Sequence, residues 1–137
     1  MTDITINPIG ILHCDLQLRR ETPRNYDISS KEGVIELYPQ YIEGLDGIRA
    51  GNDILVLFWF NQARRDILRV HPRGDTSRPI RGVFATHSPI RPNPIALSQL
   101  RVLAIEQNLI TVRGLDAMDK TPVLDIKMTL CEKETKK

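Results

Sequence analysis

The run Asp53–Phe60, DILVLFWF, constrains the fold more than any other stretch of this chain. The run is eight residues long, rich in β-branched and aromatic side chains, too short for a convincing helix, and suits a buried central strand, where bulky side chains pack on a pleated surface. Other short runs of this kind surround it. ITINPIGILHC has a Pro-Ile-Gly break that suits an edge strand, and VIELY (Val34–Tyr38), IRGVFA, LSQLRVLAIE, LITVR (Leu109–Arg113) and VLDIKM (Val123–Met128) follow. Glycine, proline, asparagine and aspartate separate these runs, and helical periodicity is confined to a turn-like piece after Pro39. Seven short strands so punctuated point to a small barrel or sandwich, and the expected fold is all-β, a single-domain antiparallel β-barrel. It is not Rossmann, because no GxGxxG occurs.

A length of 137 residues suits one domain with a core of its own, expected over residues 1–130, and leaves a charged tail, CEKETKK, at 131–137. No basic start leads into an apolar signal core and no apolar run approaches a membrane span, so the expected location is cytoplasmic, with no membrane partner. Cys14 and Cys131 have no CxxC or His-x-His companion; reduced thiols and no metal site are expected. Net charge is only +2, but Arg64, Arg65, Arg69, Arg73, Arg78 and Arg81 face two aspartates, Asp66 and Asp75, across the same stretch. Such a patch attracts phosphates, and a solvated arginine-rich loop is the plainer reading.

Between two apolar runs stands GVFATHSPIRPNPIAL, Gly82–Leu97, with Pro89, Pro92 and Pro94 close together. Each residue before a proline, Ser88, Arg91 and Asn93, is pushed toward extended geometry. The prolines lack N–H groups, so the stretch is no interior ladder strand. It is either a preorganised loop presenting Arg91 and Asn93 to a ligand or a structural corner between strands. An arginine so placed offers a five-donor fork for phosphate or carboxylate.

This segment, followed by VRGLDAMDKTPVLDIKM, resembles the signature of the TsaA-like (TrmO) family, as do the early PIG motif, TPRN, YIEGL and the strand ending in Phe-Asn-Gln. The resemblance implies a single antiparallel barrel that forms a homodimer, with S-adenosylmethionine bound near the subunit boundary. It implies a non-Rossmann methyltransferase acting on N6 of threonylcarbamoyladenosine beside the tRNA anticodon. The partner so implied is tRNA and not DNA. Two alternatives stand beside it: a methyltransferase of another small molecule or RNA, and a non-catalytic barrel that binds nucleic acid or cofactor. The aromatic fraction of 5% argues mildly against a base-stacking platform.

Carried over by the resemblance, cofactor contacts fall on Pro23, Arg24 and Asn25, on Asn61 and Gln62, on His87 and Leu97, and on Arg113, Gly114, Leu115 and Asp116. Methyl transfer from a sulfonium is an in-line displacement that asks the protein chiefly for positioning and for an acceptor of the nitrogen's proton. The catalytic candidates are Asp116, Asp125 and Arg91, with Asp119 and His87 as further proton acceptors. Asp125 and Lys127 are two apart on a strand and share a face. His13 and His71 are expected to be structural. Four residues depart from the family pattern: His87 stands for arginine, Ala96 and Lys120 for glycine, and Met128 for proline. The two glycine replacements matter only where the backbone needs a positive φ. Many family members also carry a C-terminal domain that is not found within these 137 residues.

Overall fold

The computed structural model describes residues 3–15 and 30–130. Pro23, Arg24, Asn25, Cys131 and the expected tail lie outside the described residues. Six strands close into an antiparallel barrel in the order β1-β2-β7-β6-β3-β8. They are β1 (Gly10–Cys14), β2 (Glu32–Leu37), β3 (Asp53–Trp59), β6 (Ile95–Glu106), β7 (Leu109–Arg113) and β8 (Pro122–Met128). Two further strands, β4 (Arg69–Val70) and β5 (Arg81–Gly82), pair only with each other.

β3 holds the centre foreseen for it, paired along one edge with β6 and along the other with β8. Its period of two points Ile54, Val56 and Phe58 inward, all fully buried, and leaves Leu55, Leu57 and Trp59 half-buried on the outer wall. Each inward side chain contributes about 1.5–3 kcal/mol through its burial. Leu12, Ile35, Leu100, Val102, Ile110, Val112 and Val123 complete the packing from the other strands. β6 is the longest strand: Ile95–Arg101 pairs with β3, and Arg101–Glu106 with β7. A register shift between Val102 and Ala104 bends it between partners, as closure of a small barrel requires.

Two expectations need correction. The N-terminal run is no edge strand, because β1 pairs with β2 along its length and with β8 at Gly10 and Ile11. IRGVFA is not a single barrel strand: Arg81–Gly82 pairs with β4, and Val83–Ala85 then turns as a 3-10 helix that buries Val83. The count is therefore six barrel strands and a two-stranded ribbon. The helical piece after Pro39 is a 3-10 helix, Pro39–Leu45, that caps one end of the barrel with buried Leu45. The registers bring the C-terminal ends of β1, β3 and β7 and the N-terminal ends of β2, β6 and β8 to the opposite end, the rim. There Gly33 matters: a Cβ would lie 2.7 Å from both the His13 carbonyl oxygen and Leu115 Cδ1, so only glycine lets β1, β2 and the β7–β8 loop approach so closely.

Candidate functional site

The β7–β8 loop forms one side of the rim. Gly114, buried with φ 109, turns the chain off β7, and the amides of Gly114 and Leu115 donate to the Lys31 carbonyl at 2.9 and 3.2 Å. Leu115 then plugs the interior and half-buried Asp116 follows, its Oδ1 accepting the Ser98 hydroxyl at 2.7 Å. Ser98 is fully buried and lies on the inward row of β6 with Leu100 and Val102. Farther along, Asp119 Oδ1 accepts the Cys14 amide at 2.9 Å, and the Lys120 amide donates to the Leu12 carbonyl at 2.7 Å. Asp119 thus serves to hold this loop onto β1. Lys120 has φ 71, a left-handed conformation that suits the glycine of the family pattern better than lysine, whereas Ala96 has no positive φ.

The other side of the rim is the turn after β3 and the proline segment. Asn61 and Gln62 are exposed there, and the Phe60 amide donates to the Pro94 carbonyl at 2.8 Å. The preceding stretch closes on itself through hydroxyls: Thr86 Oγ1 accepts the Ser88 amide at 3.0 Å, and Ser88 Oγ accepts the Ile90 amide at 3.1 Å. Arg91 completes this closure. Its Nη1 donates to the carbonyls of Thr86, at 3.2 Å, and Ser88, at 2.8 Å. The expected exposed fork is therefore half-buried, with one nitrogen committed to its own loop, so Arg91 braces the segment it was expected to arm. His87 is exposed at the crest of this loop.

Sequence reasoning missed Arg65 and Ser98. Arg65 donates from Nε to the Pro92 carbonyl at 2.6 Å and from Nη2 to Asn93 Oδ1 at 3.0 Å, and its guanidinium lies 5.3 Å from the Trp59 ring centroid. No local signal marked Arg65 among six arginines. Ser98 had one: a polar residue at an inward position of an alternating strand.

Asp116 and Asp125 are not brought together. Asp125 is exposed and aligned across β3 Leu57 with exposed Leu97, all three on the outer wall, whereas the Ser98 hydroxyl holds Asp116 from the inner face. Asp125 instead lines an open cleft of about 370 Å³ with Tyr41, Glu43 and Ile126, on the side of the 3-10 cap. Lys127 shares its outward face, as expected from their spacing. His13 and His71 have structural partners: His13 Nε2 lies 2.8 Å from Glu36 Oε1, and His71 Nδ1 lies 2.9 Å from the Arg78 carbonyl oxygen.

The arginine patch divides. Arg64 is tied to Asp66 at 2.9 Å, which holds the Asp66 carboxyl below its usual range, chiefly by the hydrogen bond, and raises the Arg64 pKa. Arg78 lies 3.7 Å from Asp75. Arg69, Arg73 and Arg81 are exposed and form no ion pair among the described residues. Among the described residues no cluster of three metal-ligating side chains occurs, and no helix is long and apolar enough to cross a membrane.

Residues 11–132 match the family model of the tRNA-methyltransferase O N-terminal domain. A probable S-adenosyl-L-methionine-binding protein of Methanothermobacter thermautotrophicus is 41% identical over 125 residues, covering 91% of this chain and 89% of the relative. An S-adenosyl-L-methionine-binding protein of Archaeoglobus fulgidus is 42% identical over 122 residues, covering 89% and 86%. The crystal structure of TrmO from Pseudomonas aeruginosa superposes with a TM-score of 0.76 at 30% identity over 94% of this chain, and the match spans 57% of that longer protein.

Proposed function

Since this chain belongs to the family of the tRNA-methyltransferase O N-terminal domain, we propose that its rim binds S-adenosylmethionine and that it methylates N6 of threonylcarbamoyladenosine in the anticodon loop of tRNA. The observation that carries this reading is the convergence at one end of the barrel of segments far apart in sequence: the turn at Asn61–Gln62, the braced loop at His87–Arg91, and Gly114–Asp116. Relatives named as S-adenosyl-L-methionine-binding proteins support the cofactor.

The residues present suit that cofactor. Asp116, oriented by Ser98, offers a carboxylate to a hydroxyl or ammonium group, and exposed Asn61 and Gln62 offer paired donors and acceptors to a purine edge. The sulfonium, when bound, supplies the activated methyl group, so no nucleophilic side chain is needed. The chain's residues then orient and exclude water. Asp116 is the rim carboxylate placed to take the acceptor nitrogen's proton, with Asp125 set apart on the outer wall. Exposed Arg69, Arg73 and Arg81 suit RNA phosphates. We assign the exposed apolar side chains Leu68, Ile80 and Phe84, which flank the β4–β5 ribbon, to contact with a second copy, which makes the working unit a homodimer.

The test is incubation of the purified protein with S-adenosylmethionine and tRNA that carries threonylcarbamoyladenosine, followed by mass spectrometry of the nucleosides. A methyl gain on that nucleoside alone is expected. Methylation of another nucleoside would replace the substrate, and cofactor binding without transfer to any RNA would leave a binding barrel. Light scattering at tens of micromolar checks the dimer.

A further inference from the structure

We propose that Arg65 is a positioning residue that fastens the proline segment to the end of β3, so that Asn61–Gln62 and Arg91–Asn93 are held as one unit. The inference rests on the rim being the cofactor site. Three prolines remove amide donors from the segment, so the ladder that seats an ordinary strand cannot seat this one. Its carbonyls need donors from outside. The Pro92 carbonyl obtains one from the Arg65 Nε at 2.6 Å, and Nη2 of the same guanidinium donates to the Asn93 side-chain Oδ1 at 3.0 Å. The same guanidinium faces the Trp59 ring, 5.3 Å from its centroid, on the last residue of β3.

Backbone contacts set up the joint that Arg65 closes. Trp59 pairs with Ile95, the Phe60 amide donates to Pro94, and the Ile95 amide turns back to the Asn93 carbonyl at 2.7 Å. Beyond them the two segments diverge, one toward Asn61 and Gln62, the other back toward Arg91. Neighbouring Arg64 takes Asp66 as its partner, whereas Arg65 is spent on a carbonyl, an amide oxygen and a ring. Only a planar fork meets all three, because an ammonium reaches one acceptor or the ring but not the set.

Trp59 is the chain's single tryptophan, so its fluorescence reports on this joint alone. The experiment compares the full chain with Arg65→Ala, Arg65→Lys and Arg64→Ala. It measures acrylamide quenching of Trp59, hydrogen exchange of the Phe60 and Ile95 amides, melting temperature, and calorimetric affinity for S-adenosylhomocysteine. In Arg65→Ala we expect stronger quenching, exchange at both amides faster by about tenfold or more, and cofactor-product affinity weaker by about tenfold, with a melting temperature within about 2 °C of the parent. Arg65→Lys should restore ring shielding but not amide protection. Arg64→Ala removes the same charge and should change neither the joint nor the affinity. Unaltered exchange and quenching in Arg65→Ala would overturn the proposal whether or not the protein binds cofactor. Loosened amides with unchanged affinity would overturn the link to binding, and a large fall in melting temperature would recast Arg65 as a general stabiliser. If the parent chain binds no S-adenosylhomocysteine, the rim reading fails, and exchange and quenching still decide whether Arg65 makes the joint.

Discussion

Replacing Ser98 with alanine removes the hydroxyl that reaches Asp116 from inside the barrel, over 2.7 Å. A hydrogen bond to a charged group is worth roughly 1.5–3 kcal/mol, and the lower end applies here because Asp116 is half-buried and water can replace part of the contact. Alanine leaves almost no cavity, so packing contributes little to the change. Ser98→Ala should therefore cost about 1.5 kcal/mol and lower the melting temperature by about 3–6 °C. Asp116 has other contacts as well, so a single substitution does not isolate this one. A double-mutant cycle of Ser98→Ala with Asp116→Ala, read by urea denaturation with a common slope, should give a coupling of about 1 kcal/mol. A coupling below about 0.3 kcal/mol, the scatter of independent sites, would refute the claim that Ser98 orients Asp116. Ser98→Ala should lower both methyl transfer and cofactor affinity, since the carboxylate it orients is offered to the cofactor as well as to the acceptor nitrogen.

Three further outcomes are expected. Lys120→Gly relieves a φ of 71 at the cost of one exposed contact, Nζ 3.4 Å from His13 Nδ1, and should raise stability by about 0.5–1 kcal/mol in thermal denaturation; a lower melting temperature would count against the strain. The Asp66 carboxyl, depressed by Arg64, should titrate below the ordinary carboxylate range by NMR and return to it in Arg64→Ala; the contact's contribution to stability is present above the unfolded-state pKa and is lost as pH falls through the depressed one. Arg91→Ala frees the Thr86 and Ser88 carbonyls and should lower methyl transfer about ten- to a hundredfold, with Arg91→Lys recovering part of it; a near-normal rate would make the segment a plain corner.

What could be read from the sequence was the part that repeats. Short apolar runs recurring between Gly, Pro, Asn and Asp marked β3, β6, β7 and β8 nearly to their ends, and two-residue spacing put Asp125 and Lys127 on one face. The β4–β5 ribbon could not be read, since two residue pairs are too few to show a period and Val83 buries itself from a 3-10 turn. The rim was readable only through the family signature, because nothing local says that Ser98 on β6 meets Asp116 just beyond the end of its neighbour β7. Arg91 was misjudged for a related reason. Whether an arginine on a loop points outward depends on how many of the loop's own carbonyls lack donors, and a proline-rich loop leaves several.

The seam between β1 and β8 rests on the Gly10–Val123 and Ile11–Pro122 pairs, continued by the Cys14 amide to Asp119, groups 105 residues apart in sequence. Forming such contacts requires closing the longest loop in the chain, whereas the β6–β7 hairpin joins neighbours across Gln107 and Asn108. Loop-closure entropy therefore sets the order of events: hairpins form early and the seam forms late. Asp119 and Lys120 settle onto β1 only when that seam closes, and Asp116 belongs to the same loop. Closure of the seam is then expected to be a late step that also completes the rim, so that the β6–β7 hairpin precedes the site.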